Sequence, residues 1–167
     1  MNKYNQHGFT LIELLVVMSI IGIMMIAAVP SITNSTKNSA IASTAREFQV
    51  IVQLARTEAI TRNREVNFHS ENGDDWGQGF TLCAVANPDT DCDDTTTIKR
   101  YSFASTGVTV KSDATSYINF NERGRLNNGG NPVNLYFCDD RDDGKNQALS
   151  IAVTGRTLLN TVGEIPR

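Results

Sequence analysis

Apolar residues fill almost every position from Phe9 to Val29, and a single carboxylate, Glu13, interrupts them. The run has about twenty residues, which is enough for one helical crossing of a hydrocarbon core about 30 Å thick. A carboxylate inside such a helix costs about 2.5–3.5 kcal/mol on insertion scales, so it usually has a partner and a function. The pattern predicts a single-pass membrane helix over 9–29 in which Glu13 has a functional partner. The alternative is an ordinary anchor whose Glu13 reaches the membrane interface.

A second apolar pattern, with alternating four- and three-residue steps, follows this run. It predicts one buried face on an amphipathic continuation of the helix over 30–62. The positions are Ile41, Ala45, Phe48, Val52, Ala55 and Ala59. Pro30 predicts a kink or local melting near 26–31, because proline lacks a backbone N–H. The alternative is that Pro30 ends the anchor and a linker follows.

From residue 63 to residue 167 the chain changes to short runs of β-branched and aromatic residues, separated by Gly, Asn and Asp. Such runs predict strands, and the clusters between them predict turns. The strands are expected at Glu65–His69, Gly79–Val85, Ile98–Ala104, Val108–Lys111, Ser116–Asn121, Val133–Cys138 and Ala148–Val153, with turns at Asn72-Gly73, Asn128-Gly129-Gly130 and Asp143-Gly144. The predicted fold class is α+β, a long N-terminal helix with a transmembrane and an amphipathic half, packed on a C-terminal antiparallel β-sheet domain.

The predicted head, 63–167, is acidic, with 10 Lys and Arg against 15 Asp and Glu from Arg64 onward. Broad nucleic-acid binding needs a basic face, so a nucleic-acid partner is not expected. Beyond His7, His69 is the only histidine, which disfavours zinc, and the acidic runs 89–94 and 139–143 lack the EF-hand calcium spacing. No motif of a catalytic nucleophile, zinc protease or phosphate loop occurs. We expect no cofactor, no metal and no enzymatic activity.

Three cysteines, Cys83, Cys92 and Cys138, lie in the predicted head. Disulfides persist in an oxidising compartment such as the periplasm. The favoured bridge is Cys83–Cys92, which would close the short loop 84–91. Cys83–Cys138, between two strands, is the runner-up, and either bridge leaves one free thiol.

The segment Gly8-Phe9-Thr10-Leu11-Ile12-Glu13 resembles the processing motif of type IV pilins and of the pseudopilins of type II secretion. The resemblance implies that residues 1–8 are a prepilin leader, that a prepilin peptidase cleaves after Gly8, and that Phe9 is then N-methylated. Residues four apart share a helix face, so Glu13 would pair with the new Phe9 amine of its own chain or of a neighbouring subunit. Both pairings stay open.

The same resemblance implies a location and a set of partners. Before assembly the chain would span the inner membrane once, with its head in the periplasm, and after assembly it would belong to a pilus on the cell surface. The partners would be the prepilin peptidase, the inner-membrane assembly platform, and other minor and major pilins that contact the N-terminal helix. Glu13 and Pro30 would be the assembly residues.

Four later segments resemble the minor pilins of the FimU/FimT type and the H-type minor pseudopilin of type II secretion. They are Ala55-Arg56-Thr57-Glu58-Ala59, Trp76-Gly77-Gln78-Gly79-Phe80, Phe120-Asn121-Glu122-Arg123-Gly124-Arg125 and Ile151-Ala152-Val153-Thr154-Gly155-Arg156. In these segments we expect Trp76 and Phe80 to be core residues, and Gly124 and Gly155 to be turn residues.

DNA-uptake members of the FimT-like branch carry G-R-x-R near the C-terminus. Here the matching stretch is Gly155-Arg156-Thr157-Leu158, with Leu158 in place of the second arginine. Ordinary solvated strand ends are favoured over a gathering of Arg123, Arg125, Arg156 and Arg167. No nucleic-acid site is therefore predicted.

Three functional hypotheses follow from the resemblance. The first is a minor type IV pilin that primes pilus assembly and sits near the tip, in a pilus used for adhesion and twitching motility, with DNA uptake as a further role. Pro30 favours this hypothesis. The second is an H-type minor pseudopilin of a type II secretion system. The third is a DNA-binding pilin for natural transformation.

Overall fold

The structure is a computed structural model that describes residues 9–71, 75–85, 92–93, 95–103, 107–113, 117–141 and 145–163, except for the side chains of 27–31. The predicted leader 1–8 and the turns at Asn72-Gly73 and Asp143-Gly144 include residues outside this part. The chain divides into two compact units, one ending at Thr36 and the other beginning at Lys37.

Helix α1 spans Leu11–Arg62 and includes Pro30. The local melting expected near 26–31 is wrong, and so is the alternative of a linker after Pro30. Proline removes one backbone hydrogen bond, and the helix continues on both sides of that position. At the other end, Asn63 adopts a positive φ of 49°. The Arg64 N–H donates to the Ala59 carbonyl at 3.3 Å, which satisfies a helix-end acceptor.

In the first unit, the large apolar side chains that the structure describes on α1 are exposed. In the part of the chain with described residues, no helix is both long and apolar enough to cross a membrane. The side chains of 27–29, which belong to the span predicted over 9–29, are outside the described ones.

Eight strands among the described residues form two antiparallel sheets, with the orders β3-β2-β1-β5 and β4-β6-β7-β8. Their bounds are β1 Glu65–Ser70, β2 Phe80–Val85, β3 Thr97–Tyr101, β4 Thr109–Ser112, β5 Tyr117–Phe120, β6 Val133–Cys138, β7 Asn146–Ile151 and β8 Thr157–Val162. The predicted α+β fold class is confirmed. The turn at Asn128-Gly129-Gly130 is also present, with positive φ at both glycines.

Strand β8 was not predicted. It is an edge strand that pairs with β7 and places Leu158 opposite Ser150. The Thr157 hydroxyl of β8 accepts hydrogen bonds from the side-chain amides of Gln49, at 3.2 Å, and Gln53, at 2.9 Å. These two contacts attach the edge strand to α1.

The core of the second unit lies between α1 and the two sheets. The six apolar residues of the predicted helix face are each at most 1% exposed, which confirms that face. The Phe48 ring on α1 contacts Phe80 of β2 at 5.0 Å and Phe137 of β6 at 5.1 Å between ring centroids. Trp76 is fully buried and stacks on Phe68 at 5.4 Å. One helical side chain therefore joins both sheets, and the core roles of Trp76 and Phe80 are confirmed.

Candidate functional site

The first turn of α1 is held by a reciprocal cap between Thr10 and Glu13. The Glu13 N–H donates to Thr10 Oγ1 at 3.3 Å, and the Thr10 N–H donates to Glu13 Oε2 at 3.5 Å. This is the capping box that Thr-x-x-Glu forms at a helix start, where it satisfies two backbone donors. A negative charge in the first turn also interacts favourably with the helix dipole.

The cap gives Glu13 a local partner that the sequence analysis missed, although the Thr10-x-x-Glu13 spacing signals it. The predicted partner, the Phe9 amine, exists only after cleavage, and Gly8 lies outside the described residues. The pairing of Glu13 with that amine stays a prediction. Phe9 itself is 85% exposed.

Two tight turns bring the later motifs together. In the turn Asn121–Arg125, the Gly124 N–H donates to the Asn121 carbonyl at 2.8 Å, and the Asn121 N–H donates to the Arg125 carbonyl at 2.9 Å. The turn Ala152–Arg156 repeats the pattern, since Gly155 donates to Ala152, and Ala152 donates to Arg156, both at 2.8 Å. Gly124 and Gly155 have φ values of 68° and 78°, which confirms them as turn residues.

Helix α1 packs against both turns through Arg56 and Ile60. A Cβ atom on Gly124 would lie 2.7 Å from Ile60 Cδ1 and 3.0 Å from Arg56 Cγ. A Cβ atom on Gly155 would overlap the Gly124 carbonyl oxygen and approach Arg56 Nε to 3.0 Å. We call these four residues, Arg56, Ile60, Gly124 and Gly155, the motif junction. It brings together three of the segments that resemble the minor-pilin pattern and that are far apart in the sequence.

The two turns of the motif junction also touch each other and carry exposed arginines. The Leu126 N–H donates to the Val153 carbonyl at 3.0 Å. Arg123 and Arg125 lie on one turn, and Arg156 ends the other. Arg167 is outside the described residues, and the other three arginines named above lie on these two contacting turns. Glu122 on the first turn offsets part of their charge.

A disulfide joins Cys83 of β2 to Cys92, with 5.6 Å between their Cα atoms. This is the pairing that the sequence favours, and closing so short a loop stabilises by about 2–3 kcal/mol in the loop-entropy model. The runner-up pairing, Cys83–Cys138, is wrong, because Cys83 is bonded to Cys92 and Cys138 is free. Cys138 is a free, half-buried thiol, and burial raises its pKa.

The described acidic residues of 139–143 pair with cations of the same unit. Asp139 accepts from Arg141 at 2.6 Å, Asp140 accepts from Lys37 at 2.6 Å, and Arg141 donates to Asn38 Oδ1 at 2.8 Å. Burial acts to raise the pKa of Asp139, but hydrogen bonds from Arg141 outweigh it and the pKa is lowered. The hydrogen bond and charge of Lys37 lower the pKa of Asp140.

Asp93, which belongs to the acidic run 89–94, caps its own loop. Hydrogen bonds from the hydroxyls of Thr95 and Thr96 and from the Thr96 N–H lower its pKa to about 2. In the described parts of the chain, no group of three or more His, Cys, Asp or Glu side chains is placed to hold a metal ion.

Comparison with known proteins agrees with this fold and these motifs. The prokaryotic N-terminal methylation motif matches residues 3–29, and the family of type II transport protein GspH matches residues 44–155. The protein is thus of the type IV pilin-like class, with a methylation motif and a long helix before an antiparallel β head. Within that class, the chain belongs to the GspH family.

Solved structures of pilus and secretion subunits share the fold. The type IV minor pilin FimU of Pseudomonas aeruginosa is 23% identical, with a TM-score of 0.63 over 75% of this chain and 91% of that one. A second crystal form of FimU gives 22% identity and a TM-score of 0.60 over 71% and 91%. The minor pseudopilin EpsH of the Vibrio cholerae type 2 secretion system gives 13% identity and a TM-score of 0.52 over 74% and 98%. No curated protein matches the chain.

Proposed function

We propose that this chain is a minor pilin that primes assembly of a type IV pilus and sits near the pilus tip. The observation that carries the proposal is the exposed apolar part of α1 around Glu13, where Leu11 is 82% and Ile12 71% exposed. Apolar surface of this extent marks a site that another molecule or a membrane covers. The inner membrane covers it before assembly, and the helices of neighbouring pilins cover it afterwards. The role is structural and not enzymatic.

The methylation motif supports processing of this helix by a prepilin peptidase. Cleavage after Gly8 would free an ammonium group on Phe9, which is then N-methylated. Thr10 holds the Glu13 carboxylate at the start of α1, close in sequence to that new charge. In the proposed assembly step, the Phe9 ammonium of a neighbour replaces the Thr10 N–H as the partner of Glu13, because a charge-assisted hydrogen bond is the stronger one.

The test is Glu13→Val in the full chain, with Glu47→Val as a matched control on the exposed side of α1 in the second unit. Glu13→Val is expected to be cleaved and inserted like the wild type, but to be lost from sheared filaments. Glu47→Val should be processed and incorporated normally. Normal incorporation of Glu13→Val would refute the pairing.

The alternative role is an H-type minor pseudopilin of a type II secretion system, which the GspH family match supports. Deleting the gene separates the two roles. Loss of surface pili and twitching with normal exoprotein secretion supports the pilus role. Loss of secretion with normal pili supports the pseudopilin role.

The third candidate is a DNA-binding pilin, and the observation in its favour is the contact between the two arginine-bearing turns. Binding of double-stranded DNA that weakens as salt rises, and that depends on Arg123 and Arg125, would support it. Absence of a mobility shift at low salt would exclude it.

A further inference from the structure

A groove runs along strand β7 on the outward face of the second sheet. Asn134 of β6, Ser150 of β7 and Leu158 of β8 lie side by side, since Asn134 pairs with Ser150 and Ser150 with Leu158. The small side chains of Ser150 and Ala152 form the floor. Longer side chains on both neighbouring strands form the walls, and the groove encloses about 460 Å³.

The width of this groove, which we call the β7 groove, suits an extended peptide. Neighbouring strands are about 4.8 Å apart, so walls on β6 and β8 stand about 10 Å apart. Pro132 and Asn134 lie on one side, and Arg156 and Leu158 on the other. A side chain projecting from an extended segment reaches the floor between them.

The chemistry of the β7 groove is mainly apolar with one positive end. Leu158 is 60% exposed, although it is a large apolar residue on a sheet surface. Arg156 is the one charged residue among the described residues that line the groove. Arg123 and Arg125 are exposed on the turn that contacts the turn of Arg156, and Glu122 on the same turn carries an opposing charge. Asp113, which is not in the lining, accepts hydrogen bonds from the backbone and side-chain amides of Asn134 at 2.8 and 2.7 Å.

We propose that the β7 groove binds an extended segment of a partner protein in which an apolar side chain is followed by a carboxylate. The apolar side chain covers Leu158 and the floor at Ser150 and Ala152. The carboxylate pairs with Arg156, where charge complementarity favours an acidic group. This docking surface goes beyond the proposed function, because it lies on the sheet of the head and not on α1. It therefore serves either a pilus or a secretion filament.

The test uses the full chain in phosphatidylcholine nanodiscs and a fluorescent hexapeptide of alternating leucine and glutamate. One control peptide has lysine in place of glutamate, and the other has serine in place of leucine. Fluorescence anisotropy should show binding of the leucine-glutamate peptide and weaker binding of both controls. Empty nanodiscs provide the blank.

Variants locate the binding on the molecule. Leu158→Ser and Arg156→Gln should each weaken binding about fivefold or more, because burial of a leucine side chain and a charge pair each contribute on that scale. Both side chains are exposed, so both variants are expected to keep the wild-type melting curve. Ser150→Phe, which fills the floor, should abolish binding. The matched controls Val50→Ser and Arg46→Gln, on the exposed side of α1, should bind like the wild type.

Three results with the peptides would overturn the proposal. The first is no binding at about 1 mM peptide, and the second is equal binding of all three peptides. The third is wild-type affinity in Leu158→Ser and Arg156→Gln. Tighter binding of a single-stranded oligonucleotide that Arg156→Gln abolishes would also overturn it, because the arginines would then form a phosphate-binding surface.

Discussion

The two halves of helix α1 share one backbone structure but differ in what covers their apolar side chains. In the second unit, apolar residues recur on one face from Ile41 to Ala59, and that face is buried. In the first unit, apolar residues occupy nearly every position from Phe9 to Val29, and those described from Leu11 to Ile26 are exposed. A helix that is apolar on one face finds its cover within its own chain. A helix that is apolar all round needs cover from outside.

This difference implies that the halves contribute to different processes. Burial in the second unit determines whether the head is folded, since each buried side chain adds to the free energy of unfolding. Exposure in the first unit leaves its apolar surface free for association. Substitutions should therefore affect head stability in one half and assembly in the other.

The largest expected effect comes from Phe48→Ala. Phe48 is fully buried and contacts rings of both sheets, so its removal should lower the free energy of unfolding of the head by about 4 kcal/mol. The control in the exposed half is Ile20→Ala, which should change the free energy of unfolding by less than about 0.5 kcal/mol. Urea unfolding of the full chain, followed by fluorescence of the single tryptophan Trp76, measures both. A similar loss in both variants would contradict the comparison.

The buried face around Phe48 could be predicted because a period of 3.6 residues is visible in the sequence. The same holds for most strands, whose β-branched runs are bounded by Gly, Asn and Asp. Strand β8 was missed because it is an edge strand attached to α1 through Gln49, Gln53 and Thr157. Contacts between residues about a hundred positions apart leave no local pattern.

The contacts within the motif junction, like those of strand β8, could not be predicted from the local sequence pattern. The turn roles of Gly124 and Gly155 could be predicted from glycine chemistry. Their contact with each other and with Arg56 depends on how the two sheets meet α1, which the sequence pattern does not specify. The β7 groove was missed for the same reason, since its floor and walls come from three strands.

A second prediction concerns the place where the covered half of α1 meets the turns. Gly155→Ala should destabilise the head by about 3 kcal/mol, because the new Cβ overlaps a backbone oxygen and the residue keeps a positive φ. The matched control is Gly129→Ala, with a similar φ of 64° but nothing within 4 Å of the new Cβ. It should cost about 1 kcal/mol. Urea unfolding with Trp76 fluorescence measures both, and equal costs would mean that the close approach is unimportant.

A third prediction addresses the exposed half, where the local cap takes the place of packing. Thr10→Ala removes the hydroxyl that accepts from the Glu13 N–H and should cost about 1 kcal/mol of helix stability at that end. Hydrogen exchange of the Glu13 amide in nanodiscs should become about fivefold faster. Ser19→Ala, whose hydroxyl donates to the Leu15 carbonyl within the helix, should leave that amide unchanged. Slow exchange in Thr10→Ala would show that the first turn is held by other contacts.

The smallest expected effect is a change in the pH dependence of the free energy of unfolding. It concerns the ion pair between Asp139 and Arg141, near the start of the covered half of α1. Asp139 and Arg141 are 4% and 16% exposed in their side chains, and Arg141 also binds Asn38 of the helix. The pKa of Asp139 is lower in the folded chain than in the unfolded chain. The unfolded chain therefore binds more protons than the folded chain once the pH falls below about 5. The stabilisation is complete well above the usual aspartate pKa of about 3.9 and is lost as the pH falls through the lowered value. Asp139→Asn should therefore flatten the fall in unfolding free energy between about pH 5 and pH 2, and Arg141→Met should flatten it similarly. An unchanged acid slope in both variants would show that this ion pair does not couple the loop after β6 to the helix.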